Sequence, residues 1–157
     1  MKANEIEKDI YSTFASIAST IGYSEIHGRI IAALMVAGKK MPLQELADKT
    51  GYSISTLSLS LDLLEFFGMI KKIKNAGDRK LYLELQGDLL EGLKKAFVMK
   101  IQKSINDSLD KFNQYKESLK TSDGKDKERV TEALNILEKD IHRVDKYINL
   151  LAKIKLQ

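Results

Sequence analysis

The chain contains no cysteine and no tryptophan, and its 157 residues include a single proline, Pro42. Without a thiol there is no disulfide, no thiolate metal ligand and no cysteine redox switch. Histidine is nearly as scarce. His27 and His142 are the only two, and isolated imidazoles on separate segments do not make a metal-ligand spacing. Glycine-rich phosphate loops, nucleophile elbows and paired-carboxylate motifs are also missing. The sequence therefore names no catalytic residue, no metal ligand and no cofactor site, and a protein that is not an enzyme is expected. Long hydrophobic runs are absent as well: no segment approaches the roughly 20 apolar residues of a membrane span, and "MKANEIEKDIYSTF" lacks the apolar core of a signal peptide. A cytoplasmic protein with no membrane partner is expected.

One further absence is local. Residues 51–70 carry two acidic groups and no basic one, whereas residues 71–80 carry five basic groups against one acidic. That ten-residue excess equals the formal net charge of the whole chain, +4. A concentrated basic spot on an otherwise balanced chain is the footprint of something that meets phosphate, although a solvated charge run has the same composition. The overall balance, 43% hydrophobic and 31% charged, belongs to a folded globular chain rather than a disordered one.

Hydrophobic periodicity predicts four short helices, each closed by a glycine: Gly22, Gly38, Gly51 and Gly68. The first, about 4–21, sets Ile6, Ile10, Phe14, Ile17 and Ile21 at helical spacing. The second starts from Ser24 as an N-cap. Pro42 suits the first turn of the third, "LQELADKT". Ser53 caps the fourth, whose Leu57, Leu61, Leu64 and Phe67 form one inward stripe. The period then changes: residues 69–74 and 81–85 flank the turn-forming Asn75-Ala76-Gly77-Asp78, which predicts a β-hairpin. From about residue 88 the chain returns to helix. One long helix, about 88–120, carries Leu90, Leu93, Phe97, Ile101, Leu109, Phe112 and Leu119. After the break "TSDGKDKE", a second, about 126–155, repeats Val130, Leu134, Leu137, Ile141, Val144, Ile148 and Leu151 in coiled-coil alternation.

The expected fold is therefore mainly α: a winged helix-turn-helix at residues 22–86, plus a helical dimerisation region made of residues 1–21 and 88–157. Ile6, Ile10, Phe14, Ile17, Phe97, Ile101, Leu109, Phe112, Leu134, Leu137, Ile141, Val144, Ile148 and Leu151 are its expected dimerisation residues. The long helices have too little to bury alone, so their stripes need the first helix, a second subunit, or both.

On this frame the fourth helix is the DNA-recognition element, and it exposes Ser53, Ile54, Ser55, Thr56, Ser58 and Leu59. Hydroxyls contact phosphate or either base pair and apolar groups meet the thymine methyl, but nothing here makes the bidentate contact that fixes guanine or adenine. Affinity is then expected from the wing, through Lys71, Lys72, Lys74, Arg79 and Lys80, with Arg79 at the tip suited to a narrow minor groove. Asp78 either orients a guanidinium or forms the turn. The uncharged face with Leu59, Leu63 and Phe66 supports a second reading, a protein-interaction or architectural winged helix.

Residues 28–85 resemble the DNA-binding core of the MarR superfamily, particularly its GbsR-like branch. Gly28-Arg29 opens the second helix as in that branch, Leu43 to Ala47 fill the Leu-rich third helix, and Ser53, Ser58, Leu61 and Gly77 to Lys80 match as they stand. Branch members often place Lys-Gly-Asn where this chain has Ile54-Ser55-Thr56. The superfamily's wing arginine, two residues after the Asp, is here Lys80. The resemblance implies a homodimeric regulator of transcription, often a repressor, that binds pseudo-palindromic double-stranded DNA. It also implies a small organic effector; because the helices leading from Gly87 join each DNA-binding lobe to the dimer core, the crevice between them is where such a ligand is expected to act.

Overall fold

The computed structural model describes residues 2–122 and 124–155, so Asp123, within the break between the long helices, lies outside the described residues. Along the chain run α1 (Ala3–Thr20), α2 (Glu25–Ala37), β1 (Met41–Pro42), α3 (Leu43–Thr50), α4 (Ile54–Phe66), β2 (Ile70–Lys74), β3 (Leu81–Leu85), α5 (Leu89–Thr121) and α6 (Lys127–Lys153). The fold is a winged helix with long helices, mostly α with one small antiparallel sheet.

Local chemistry sets most boundaries. The Ser24 side chain accepts from the Ile26 N–H at the start of α2, and Ser53 accepts from the Thr56 N–H at 3.2 Å at the start of α4. Each satisfies a helix N–H that has no partner within the helix. All four punctuating glycines have positive φ, between 63° and 82°. Pro42 differs from expectation. It is the N-cap of α3, not a residue of its first turn, and it also ends β1. This short strand pairs with β3, Met41 opposite Leu83 and Pro42 opposite Tyr82, so the hairpin becomes a sheet of order β1-β3-β2. Within the hairpin, Ile70 pairs with Leu85 and Lys74 with Leu81, and the wing is the loop 75–80.

The chain forms two compact units, residues 1–92 and 93–157. In the first, Ile30 and Leu34 of α2, Met41 of β1, Leu46 of α3, Leu57 and Leu61 of α4, Ile70 of β2 and Leu83 of β3 are fully buried. Every element of the winged helix thus contributes to one core, each such side chain worth about 1.5–3 kcal/mol of burial. Phe67, expected to complete the α4 stripe, is only half-buried because the helix ends there.

Within this unit α1 packs along α2, and the contact uses small residues. Tyr11, Ala15 and Ala18 are buried, and a Cβ on Gly28 would collide with the Phe14 carbonyl and the Ala15 Cα. Two backbones come this close only where side chains are small or missing. Ile6 and Ile17 stay about half exposed, while Ile10 and Phe14 are half-buried. Tyr11 donates its hydroxyl to Glu7, which also pairs with Lys49 of α3 at 2.6 Å, tying α1 to the third helix.

The second unit is an antiparallel pair. Gln102 of α5 donates to Asp145 of α6 at 2.7 Å, and Lys116 pairs with Glu138 at 2.5 Å. The seam of α6 is divided: Leu134 and Ile148 are buried and Ile141 and Leu151 half-buried, whereas Val130, Leu137 and Val144 are 39–50% exposed. On α5, Phe97, Ile101, Leu109 and Phe112 are half-buried. An open, apolar groove of about 320 Å³ lies between Tyr115, Leu119, Val130 and Leu134.

Candidate nucleic-acid interface

The first turns of α4, the candidate recognition helix, face solvent, with one qualification about its hydroxyls. Ser53, Ile54, Ser55, Thr56, Ser58 and Leu59 are all exposed, Leu59 the most at 79%. The hydroxyls, however, are already engaged. Ser53 Oγ lies 2.9 Å from Ser55 Oγ and 2.7 Å from Thr56 Oγ1, and Ser58 Oγ donates to the Ile54 carbonyl at 2.9 Å. A phosphate or base reached by these groups exchanges one hydrogen bond for another, which leaves a small net gain. Further along the same helix Leu63 and Phe66 are exposed.

The wing cations fall into two classes. Lys71, Lys74, Arg79 and Lys80 are exposed and make no ion pair among the described residues. Lys72 is different. It is held by two carboxylates of α4, Asp62 and Glu65, the latter at 3.3 Å, and its backbone N–H donates to Glu65 at 3.2 Å. The hydrogen bond to Asp62 raises the pKa of this ammonium above its ordinary value.

Of the two roles open to Asp78, the geometry selects the turn. One carboxylate oxygen accepts from the Lys80 backbone N–H at 2.9 Å and the other from the Tyr82 hydroxyl at 3.0 Å. The Lys80 N–H and then the Tyr82 hydroxyl hold the Asp78 carboxyl below its usual range, and the same bond raises the Tyr82 hydroxyl. Arg79 is left free of that carboxylate and exposed at the tip.

The structure adds a cation that sequence reasoning passed over. Lys40 sits with its ammonium 5.1 Å from the centre of the Tyr82 ring, because the β1–β3 pairing carries residues 39–42 alongside the base of the wing. Such a contact is electrostatically favourable and brings a further positive charge to this edge. The only signal was the Lys39-Lys40 pair immediately before Met41-Pro42, since a two-residue strand has no readable period. His27 is half-buried on α2, where burial lowers its pKa, and His142 is exposed on α6.

No protein-family model matches the chain and no curated protein matches it. Among solved structures it is similar to the crystal structure of a transcriptional regulator, with a TM-score of 0.60 and 16% identity over 94% of this chain and 97% of that one. That likeness establishes the fold along nearly the whole chain. NadR in complex with 4-hydroxyphenylacetate also aligns, at TM-score 0.43 and 20% identity over 96% of this chain and 89% of the other.

Proposed function

We propose that the chain is a DNA-binding transcriptional regulator, acting without catalysis as a homodimer on a pseudo-palindromic duplex site, most simply as a repressor. The observation that carries this reading is the wing: four exposed cations without ion-pair partners among the described residues, Lys71, Lys74, Arg79 and Lys80, on a hairpin packed beside an exposed helix-turn-helix. The shared fold with a protein described as a transcriptional regulator and the resemblance of residues 28–85 to the MarR superfamily both favour it. In a twofold dimer two weak half-sites add, with recognition helices about one DNA turn, roughly 34 Å, apart. A small organic effector follows from the resemblance: it need only bind one spacing of the two helices better than the other.

Selection of bound duplexes from a random pool tests the core of this reading. An inverted repeat with fixed spacing is the expected product; unrelated sequences without common spacing would point to an architectural protein. Arg79→Ala should lower the slope of log affinity against log salt by about 1 if the guanidinium touches phosphate, and should penalise A·T-rich sites selectively if it enters the minor groove.

One observation favours a second reading. Leu59 and Phe66 are 79% and 69% exposed on α4, an apolar surface suited to a protein partner. Duplex binding that stays undetectable at low salt would favour that role.

A further inference from the structure

The recognition helix carries negative charge where a DNA-binding helix ordinarily carries positive. Asp62 and Glu65 are the only charged residues between positions 51 and 70, and both are exposed. Near a phosphate backbone, two free carboxylates repel; like charges brought together across an interface weaken association and misdirect it. The wing answers this locally. Lys72, on β2, bridges both carboxylates through its ammonium and binds Glu65 a second time through its backbone N–H. β2 is an edge strand in the order β1-β3-β2, so that N–H is free to leave the sheet and meet the helix. Lys72 is also the withdrawn member of the group, its side chain 21% exposed, while the other wing cations stand in solvent.

We propose that Lys72 is a positioning residue and not a phosphate contact: it fastens the wing to the recognition helix and masks the Asp62 and Glu65 carboxylates, making α4 compatible with DNA. This inference rests on the reading of α4 and the wing as a DNA-binding face. To reach a phosphate, Lys72 would have to release both carboxylates and leave them unmasked. Its neighbours on the same strand, Lys71 and Lys74, face no such choice.

A cycle of variants separates masking from contact. The trio Asp62, Glu65 and Lys72 carries a net charge of −1, which becomes −2 in Lys72→Gln, +1 in Asp62→Asn with Glu65→Gln, and 0 when all three are replaced. Thermal unfolding of each variant establishes that it folds, and binding to a selected duplex is then measured from low to moderate salt. Masking predicts that Lys72→Gln weakens binding about tenfold or more. It predicts that the double carboxylate variant binds at least as tightly as the wild type, and that the triple variant returns to within about threefold of wild type with an unchanged salt slope. A triple variant that stays as weak as Lys72→Gln, with a slope lower by about 0.9, would mean that Lys72 touches phosphate and would overturn the inference while leaving the function standing. Wild-type protein that binds no duplex at low salt would overturn the function, and this inference with it.

Discussion

The two units of this chain solve the problem of burial differently. Residues 1–92 close a core of their own, with eight large side chains from six elements under 2% exposed. In residues 93–157, by contrast, Ala96, Ile105, Leu134 and Ile148 are the buried apolar residues among those described, while Met99, Tyr115, Ile136, Leu137, Val144, Tyr147 and Leu150 are 42–68% exposed. Two helices meet along one line, whereas a helix bundle with a sheet encloses a volume. The seam between α5 and α6 is partly polar as well, bridged by Gln102–Asp145 and Lys116–Glu138. Pairs like these specify register more than they add stability, since half-exposed ion pairs contribute about 0–1 kcal/mol. The first unit encloses its apolar side chains, and the second leaves many of them exposed.

That contrast can be broken or sharpened by experiment. Leu57→Ala empties a fully enclosed site in the first unit and should cost about 2–5 kcal/mol in urea unfolding. A loss under about 1 kcal/mol would mean that the core does not behave as a closed one. Leu137→Asp combined with Val144→Asp should leave the first unit's unfolding nearly unchanged but raise the proposed dimer's dissociation constant about 10,000-fold, taking about 1.5 kcal/mol for each of the four apolar side chains that the two subunits lose together. Sedimentation over a range of concentrations measures this, and a wild-type monomer would remove the dimer from the proposal.

Gly28→Ala should cost about 1–3 kcal/mol by forcing α1 away from α2. The sign is diagnostic, because the same change at an open helix position would stabilise the chain by up to about 1 kcal/mol. The smallest expected effect is a matter of pH. The Lys49 ammonium first, and the Tyr11 hydroxyl second, hold the Glu7 carboxyl below its ordinary value. Its contribution is therefore present above the unfolded carboxyl's pKa, about 4.3, and is lost as pH falls through the lower folded value. Glu7→Gln should cost under about 1 kcal/mol at neutral pH and flatten the stability profile in that acidic window. Profiles that differ at neutral pH and converge as pH falls below the unfolded carboxyl's value would confirm the sign.

How far the sequence was legible follows the range of the forces involved. Helix starts at Ser24 and Ser53 and stops at Gly22, Gly38, Gly51 and Gly68 depend on residues within one turn, so local pattern was enough to find them. The strand at Met41–Pro42 was not found: its partner, β3, lies about 40 residues away and two residues have no period. Position along the wing suggested that Lys72 was equivalent to Lys71 and Lys74. Strand alternation sets Lys72 apart from Lys71, and the nearness of α4, through Asp62 and Glu65, sets it apart from Lys74 on the same face. On α1 the isoleucines stood out as a stripe, while the close approach to Gly28 of α2 is made at Ala15, a small residue that a search for hydrophobic stripes undervalues.

By itself the sequence determined that this chain folds as short capped helices, a basic hairpin and two long amphipathic helices, because capping, period and local charge are properties of neighbouring residues. It also determined that α4, the proposed recognition helix, has no basic side chain of its own. The tertiary structure alone decided what happens to the charge that helix does carry. Sheet order and the packing of α4 on β2 bring Lys72 onto Asp62 and Glu65, and they bring Lys40 to Tyr82. Ion pairing depends on distance in space, and chain position constrains that distance only after the backbone has folded.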